Sequence, residues 1–415
     1  MELAPGQRGD GGEVGPQVRV RGVHARIVAA RRKRPGGLRG PDSVSQMRIL
    51  YGVNGEGLGH ATRSEVVIDS LLGEHDVRVM ASGAAFRYLQ DKCGHVSEIF
   101  GPSFAMDHGE IRRWASVTHT MEAARRELPS SVRSWMAAVQ EWRPDVVVTD
   151  FEPLSGIYAR SSRTPLVCVD NIHMIDRCRH DEEIVGRERE DFRIARAVTR
   201  AMVPTAGDYV ITTFFRPPLL RGRTVLVPPI VRPAIVAAQP VRGDHLLVYS
   251  GGSDALIDAL RDCGLPSRVY GMRDGPETGT TDGPIEYRPR SVDGFLEDLV
   301  SARGVVTGGG FSLLSEAVYL GKPVLSVPLH GQFEQLMNAR YVEREGFGMC
   351  APVPDTPALR AFLDRLDEFH EWLGSYEQDG NAEALATIEA CVTTAGADTR
   401  HARALARRAA KATPR

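Results

Sequence analysis

The chain alternates short, continuously apolar runs with longer amphipathic stretches, and this alternation occurs twice. The first series runs from Met47–Val53 to Tyr209–Thr213, and the second runs from His245–Tyr249 to Phe333–Glu345. Apolar strands that alternate with helices are typical of parallel sheets covered by helices on both faces. The sequence therefore predicts an α/β protein with two Rossmann-like, doubly wound domains that face each other across a cleft.

A proline-rich segment, VPPIVRP at residues 227–233, separates the two series. It predicts an interdomain linker over 229–243, an N-terminal domain over 47–228 and a C-terminal domain over 244–375. Residues 376–415 have a helical pattern and are predicted to form a C-terminal helical tail. Its last sixteen residues hold six Lys or Arg and no acid, which favours a solvated helix.

Residues 1–46 differ from the rest of the chain in composition. They hold nine Gly, nine Lys or Arg and four acids, with little apolar periodicity. Such a segment buries too little apolar surface to offset its ordering entropy, so a disordered extension is predicted. A basic arm on an anionic membrane surface is the alternative. The basic cluster at residues 31–34 is not followed by an apolar stretch, so it is not an export signal.

Bulk charge and cysteine spacing exclude several classes of protein. The formal net charge of -2 argues against nucleic acid as a partner, because such binding depends on neutralising phosphates. The six cysteines form no CxxC pair, so metal-ligand spacing is absent and reduced thiols are expected. These features favour a cytoplasmic protein, with peripheral contact on the inner membrane face as the alternative.

The strongest local motif is VVTGGGFS at residues 305–312, followed by Leu313-Leu314-Ser315-Glu316. A strand ends in three glycines and a helix begins, so free N–H groups and the helix dipole favour an anion such as phosphate. The loop lacks the Lys of a Walker loop and the GxGxxG order of a dinucleotide site. A tight turn without a ligand is the alternative, and Glu316 has the alternative role of an acid stabilised by the helix dipole.

A second motif covers GKPVLSVPLHGQFEQLMNA at residues 321–339. A strand leads into a polar loop and then into a helix that starts with Glu334 and Gln335. The carboxyl ends of parallel strands line the ligand crevice of such sheets. An acid beside an amide suits sugar hydroxyls, which both donate and accept hydrogen bonds.

Together these two motifs resemble the donor-binding signature of GT-B glycosyltransferases. The similarity is greatest to the MurG-like group, family 28, and weaker to the plant and macrolide transferases that use UDP- or dTDP-sugars. The resemblance implies a nucleotide-sugar donor as substrate and no cofactor. It implies phosphate contacts for Gly309, Gly310, Phe311 and Ser312, a ribose contact for Glu316, and sugar contacts for Glu334 and Gln335. Plant enzymes have a His where this chain has Gly308, so backbone N–H groups are expected to bind the phosphates.

Two upstream segments extend the resemblance. Val248–Ser253 resembles the first loop of the family's C-terminal domain, which implies donor contacts for Gly251, Gly252 and Ser253. The segment YRPR, which starts at Tyr287, resembles the loop that stacks on the nucleobase. Packing in the core is the alternative for the Tyr287 ring.

The first strand leads into NGEGLGHATRS at residues 54–64, which resembles the family's glycine loop with a His near the acceptor. Gly57, Gly59 and Arg63 are expected in this acceptor-side loop, with Arg63 offsetting diphosphate charge or forming a surface pair. His60 is the candidate base, because a neutral imidazole can take the proton of an acceptor hydroxyl. Orienting the loop or capping the helix is its alternative role.

Asp150 ends a strand whose carboxyl end faces the same crevice. It is expected to orient His60 or contact the acceptor, with helix capping as the alternative. Further candidates are Glu152, Asp170 and His173.

The predicted reaction is transfer of a hexose-type sugar from a nucleotide donor, with UDP or dTDP favoured, to the hydroxyl of an unidentified acceptor, with inversion. No Asp-x-Asp occurs in the sequence, which agrees with a metal-independent site. The acceptor class stays open between a small molecule, a glycan and a lipid-linked compound. A sugar-nucleotide 2-epimerase of the same fold, a non-catalytic binding subunit and a nicotinamide enzyme are the alternatives.

Overall fold

The structure is a computed structural model that describes residues 46–99, 106–107, 110–111, 130–203, 206–250, 253–271 and 279–412. The described part of the chain contains two seven-stranded sheets with helices, which we call the N-lobe and the C-lobe. The predicted extension at 1–46 lies outside the described residues except for its last residue.

The N-lobe sheet has the strand order β3-β2-β1-β6-β7-β8-β9, and all its pairings are parallel. A separate antiparallel pair, β4–β5, lies between β3 and β6 in sequence. The strands are β1 Arg48–Val53, β2 Asp76–Ala81, β3 Val96–Glu98, β4 Met106–Asp107, β5 Glu110–Ile111, β6 Val146–Asp150, β7 Leu166–Asp170, β8 Asp208–Thr212 and β9 Thr224–Val227.

Helices follow these strands as the alternation predicts. The N-lobe helices are α1 Gly59–Leu71, α2 Gly83–Leu89, α3 Ser130–Trp142, α4 Pro153–Ser162, α5 Met174–Arg177, α6 Glu182–Val185 and α7 Arg189–Met202. Both β1 and β6 are almost entirely buried, because helices cover the two faces of the sheet.

The C-lobe sheet repeats the arrangement in the order β12-β13-β11-β10-β14-β15-β16, with only the edge strand β12 antiparallel among its described pairings. Its strands are β10 Leu246–Tyr249, β11 Ser267–Tyr270, β12 Thr281–Asp282, β13 Ile285–Tyr287, β14 Gly304–Thr307, β15 Val324–Ser326 and β16 Gly348–Cys350. The helices are α8 Pro233–Val236 in the linker, then α9 Asp254–Cys263, α10 Val292–Val300, α11 Phe311–Tyr319, α12 Phe333–Arg344, α13 Thr356–Asp364, α14 Leu366–Gly374 and α15 Ala382–Ala412. The two parallel sheets confirm the predicted doubly wound architecture.

The C-terminal helix α15 packs on the N-lobe instead of extending from the C-lobe. Its residues Ala384, Ile388 and Val392 are buried in the same core cluster as Met47 and Val148. His75 and Glu389 add a 2.7 Å side-chain contact between the N-lobe and this helix. Part of the segment predicted as a tail is therefore core structure, because its apolar face covers surface that the N-lobe sheet would otherwise expose.

The two lobes also meet through α12, which packs against α6 and α7. Arg340 donates hydrogen bonds to the carbonyl oxygens of Ile184 and Val185, and the Tyr341 hydroxyl lies 2.8 Å from His180 Nδ1. Across the described ranges, none of the helices combines the length and hydropathy that crossing a membrane requires.

Candidate active site

His60 and Asp150 lie together where β1 and β6 end. His60 is the second residue of α1, and Asp150 is the last residue of β6, the neighbour of β1 in the sheet. His60 Nδ1 is 2.7 Å from Asp150 Oδ1. The Asp150 side chain is fully buried, whereas that of His60 keeps 17% of its surface exposed. Since the carboxylate occupies Nδ1, Nε2 is the ring nitrogen left to accept a proton.

Two more side chains of α1 complete the surroundings of Asp150. Arg63 donates from Nε to Oδ2 at 3.0 Å and from Nη2 to Oδ1 at 2.5 Å. The Ser64 hydroxyl donates to Oδ2 at 3.0 Å. Arg63 is itself buried, so it is neither a surface pair nor a free cation in this conformation. Ser64 was not a sequence-based candidate, since a lone serine inside a helix carries no distinguishing signal.

This environment keeps Asp150 ionised. Burial by itself would raise the pKa of the carboxyl, but the charges of Arg63 and His60 and their hydrogen bonds outweigh it and hold the pKa below its ordinary value. The carboxylate is therefore an orienting anion at any pH near neutrality.

A strained turn follows Asp150. Phe151 has φ of +56°, a left-handed conformation that non-glycine residues rarely adopt. Asn54, at the end of β1, donates to the Phe151 carbonyl oxygen at 3.0 Å, and its own backbone N–H donates to the carbonyl oxygen of Asp150. Glu152 then caps α4 by accepting from the backbone N–H groups of Leu154 and Ser155. Glu152 thus has a structural role, and Asn54 is a support that sequence reasoning missed.

The second pair of candidates, Asp170 and His173, lies beside the first at the end of β7. His173 Nδ1 is 2.7 Å from Asp170 Oδ2, and the Cys168 thiol donates to the same oxygen at 3.0 Å. In the described part of the chain these three buried side chains are the cluster close enough to hold a metal ion. These three side chains are already hydrogen-bonded to one another.

The glycine loop lies at the start of α11. Gly309 has φ of +92°, and a β-carbon there would lie 2.8 Å from the Gln335 carbonyl oxygen. Asn338, which the sequence analysis did not select, donates to the Gly309 carbonyl oxygen at 3.3 Å. Gly310 is the N-cap of α11 and offers no side chain to its free N–H groups. Phe311 is buried and stacks on Phe214, so only its backbone is available to a ligand.

The two helix starts touch across the lobes. Ser312 Oγ donates to the Gly59 carbonyl oxygen at 3.2 Å. A β-carbon on Gly59 would lie 2.7 Å from that hydroxyl, so a side chain at this position would displace the Ser312 hydroxyl. Gly57 has φ of +70° and meets no neighbour within 4 Å, so its glycine is explained by backbone conformation alone. His60 and the glycine loop therefore lie close together.

Glu316, the residue expected at the ribose, is buried and paired with Arg232 of the linker. Arg232 donates from Nε and Nη2 to the two carboxylate oxygens at 2.6 and 2.5 Å. Each oxygen keeps a further lone pair, so the pair is compatible with an additional hydroxyl ligand. Arg232 gave no local signal in the sequence, because 84 residues separate it from its partner.

Glu334 and Gln335 begin α12 and have different surroundings. Burial raises the pKa of Glu334, while the nearby charges of His60 and Arg63 and a hydrogen bond from Asn338 oppose that rise. Glu334 thus lies within electrostatic range of His60 and Arg63 of the other lobe. Gln335 Oε1 accepts from the Leu329 backbone N–H at 3.1 Å, which fixes the preceding loop.

The remaining donor candidates are less clearly placed at the site. Ser253 caps α9 by accepting from the Leu256 N–H, and Gly251 and Gly252 lie outside the described residues. The Tyr287 side chain is only 3% exposed and packs in the C-lobe core. The expected stacking of Tyr287 on a nucleobase does not fit this position, because both of its ring faces are covered.

Comparison with known proteins finds a matching family and similar folds. Residues 47–367 match the family described as Glycosyl transferase family 1. An uncharacterized glycosyltransferase of Methanosarcina acetivorans is 26% identical over 343 residues, which span 75% of this chain and 88% of that protein.

Two solved structures are similar in fold. UGT2 of Phytolacca americana, complexed with UDP-2-fluoroglucose and pterostilbene, has a TM-score of 0.56 at 13% identity, over 83% of this chain and 99% of that one. The glycosyltransferase VinC, in complex with dTDP, has a TM-score of 0.54 at 16% identity, over 85% of this chain and all of that one. The likeness to the MurG-like group stays a prediction. The chain belongs to glycosyl transferase family 1 and is a glycosyltransferase with the GT-B fold.

Proposed function

We propose that this glycosyltransferase moves a hexose-type sugar from a UDP- or dTDP-sugar to an acceptor hydroxyl, with inversion and without a metal ion. The observation that carries the proposal is the hydrogen bond between Ser312 and Gly59. It holds the His60–Asp150 pair beside the uncapped start of α11. A base and an anion-binding helix start therefore face the same space.

Each part of the site has a defined role in the proposed reaction. His60 Nε2 takes the proton of the acceptor hydroxyl while the hydroxyl oxygen forms a bond to the anomeric carbon. The bond from that carbon to the diphosphate oxygen breaks on the opposite face, and its electron pair leaves with the diphosphate. The N–H groups at the start of α11 stabilise the charge gained by the leaving group. Attack opposite the leaving group inverts the anomeric centre.

The remaining candidate residues are proposed to bind the other parts of the donor. Glu316, held by Arg232, is proposed for the ribose hydroxyls, and Glu334 with Gln335 for the sugar. The UDP-sugar analogue bound to the Phytolacca americana enzyme and the dTDP bound to VinC support a pyrimidine nucleotide donor.

A donor screen tests the proposal. UDP-, dTDP- and GDP-sugars would be incubated with the purified chain, with and without added acceptors, and the released diphosphate quantified by chromatography. We expect release from a UDP- or dTDP-sugar that increases with an acceptor and persists in EDTA.

A matched pair of variants sharpens the screen. His60→Ala should lower the rate of release by about two to four orders of magnitude, whereas His95→Ala should not, because His95 is exposed at the amino end of the N-lobe sheet. Sugar conversion without transfer would identify the 2-epimerase alternative. Equal release by wild type and His60→Ala would refute the assignment of the base.

A further inference from the structure

We propose that Arg63 is a positioning residue that fixes the Asp150 carboxylate for His60 and limits how strongly this carboxylate holds a proton on His60. The proposal rests on the proposed role of His60 as the base. It assigns to Arg63 a task inside the N-lobe, in place of the expected contact with diphosphate.

The first observation is the geometry of the fork. The Arg63 Nε and Nη2 atoms each donate to a different oxygen of Asp150, and Ser64 adds a third donor. Both Arg63 and Asp150 are buried, with exposed side-chain fractions of 5% and 0%. A two-point contact to a planar guanidinium fixes the rotation of the carboxylate about its last bond. Oδ1 is thereby held toward His60.

The second observation is that one carboxylate oxygen contacts both side chains. Asp150 Oδ1 lies 2.7 Å from His60 Nδ1 and 2.5 Å from Arg63 Nη2, and these two nitrogens are 3.2 Å apart. A positive guanidinium so close to the ring disfavours the imidazolium form. A base that must return to its neutral form after each turnover benefits from such a neighbour.

Other charged groups act on His60 and Arg63 from neighbouring elements. Glu334 acts on His60 and Arg63 from α12, and Asp170, paired with His173, acts on Arg63 from the end of β7. Asp150 and Glu334 therefore place negative charge near the ring, and Asp170 places it near Arg63. Arg63 is the buried cation placed among them.

The test is an NMR titration of the His60 ring nitrogens in protein labelled with ¹⁵N-histidine, with the signal assigned from His60→Ala. It requires no donor and no acceptor, so its outcome does not depend on the proposed reaction. In Arg63→Gln we expect the midpoint of the His60 titration to move up by about one pH unit, because an adjacent positive charge is lost.

The matched control is Arg223→Gln. Arg223 forms the same two-point contact with Asp208, at 3.2 and 3.1 Å, but it is exposed at the surface of the N-lobe. Its removal should leave the His60 midpoint unchanged. An unchanged or lowered midpoint in folded Arg63→Gln would overturn the proposal.

A second variant covers the case in which Arg63→Gln does not fold. Arg63→Lys keeps the charge but loses the fork, so the midpoint should stay near that of wild type. Its kcat should fall by about tenfold or more, as when a group that orients a reacting side chain is lost, with the donor KM little changed. Wild-type kcat in Arg63→Lys would show that the fork does not position Asp150. A change confined to the donor KM would instead support the expectation from sequence that Arg63 interacts with the diphosphate.

Discussion

Replacing Gly309 by alanine tests whether the glycine loop needs glycine for its backbone conformation, separately from its expected contact with phosphate. Gly309 has φ of +92°, and a β-carbon would lie 2.8 Å from the Gln335 carbonyl oxygen and 2.9 Å from Ser326 Oγ. The unfavourable conformation costs about 1–3 kcal/mol, and the overlap in a packed region adds about 1–3 kcal/mol. We therefore expect Gly309→Ala to lower the free energy of unfolding by roughly 2–6 kcal/mol.

The neighbouring glycine is the control. Gly310 has φ of -64°, and no atom lies within 4 Å of where its β-carbon would stand. Gly310→Ala should therefore leave stability nearly unchanged. If the loop binds phosphate, the added methyl group occupies space that the ligand needs. We expect this variant to bind UDP or dTDP more weakly than wild type does.

Thermal unfolding followed by circular dichroism and calorimetric titration with UDP and dTDP measure the two effects. The expected result is a lower midpoint for Gly309→Ala alone, and weaker nucleotide binding by a stable Gly310→Ala. Equal midpoints for Gly309→Ala and wild type would refute the steric reasoning. Unchanged affinity in Gly310→Ala would show that the ligand does not approach this loop.

Four further predictions follow from the site. His60→Ala should lower turnover by about two to four orders of magnitude while donor affinity, measured by calorimetry, stays close to that of wild type. Glu316→Gln should weaken nucleotide binding by roughly 1–3 kcal/mol, and unchanged affinity would remove this carboxylate from the ribose site. EDTA should leave activity intact, and activity restored only by magnesium or manganese would contradict leaving-group stabilisation by α11. The pKa of Asp150 lies below its ordinary value, so the contribution of its carboxylate to stability is complete above about pH 4 and is lost as the pH falls further. Between pH 7 and pH 3, the measured free energy of unfolding should therefore fall less steeply in Asp150→Asn than in wild type.

Much of the fold was predictable because the apolar runs are short and sharply bounded. The run at Met47–Val53 is a strand from Arg48 to Val53, and the one at Tyr209–Thr213 is displaced by a single residue. The proximity of His60 to Asp150 also followed from sequence, because adjacent parallel strands bring their carboxyl ends to one edge of the sheet. The short strand Gly348–Cys350 was not predicted, since three residues give no readable period.

The contacts that were not predictable join residues far apart in sequence. Arg232 and Glu316 pair across the linker, and α15 returns to the N-lobe core. Tyr287 shows a different limit, because a motif fixes the position of a residue in the chain but not the exposure of its side chain. For Arg63 the sequence left two roles open, an interaction with the diphosphate and a surface ion pair. Its burial beside Asp150 indicates a third role, that of positioning the Asp150 carboxylate.

These non-local contacts explain why the reacting groups can lie on separate lobes. The proposed base lies at the start of α1 and the proposed anion-binding N–H groups lie at the start of α11, and a hydrogen bond from Ser312 to the Gly59 carbonyl oxygen joins the two helix starts. A β-carbon at Gly59 would lie 2.7 Å from the serine hydroxyl and would displace it. The charges are divided in the same way. Arg63 pairs with Asp150 beside the proposed base in the N-lobe, and Arg232 of the linker pairs with Glu316, while no side chain of the described residues caps the start of α11.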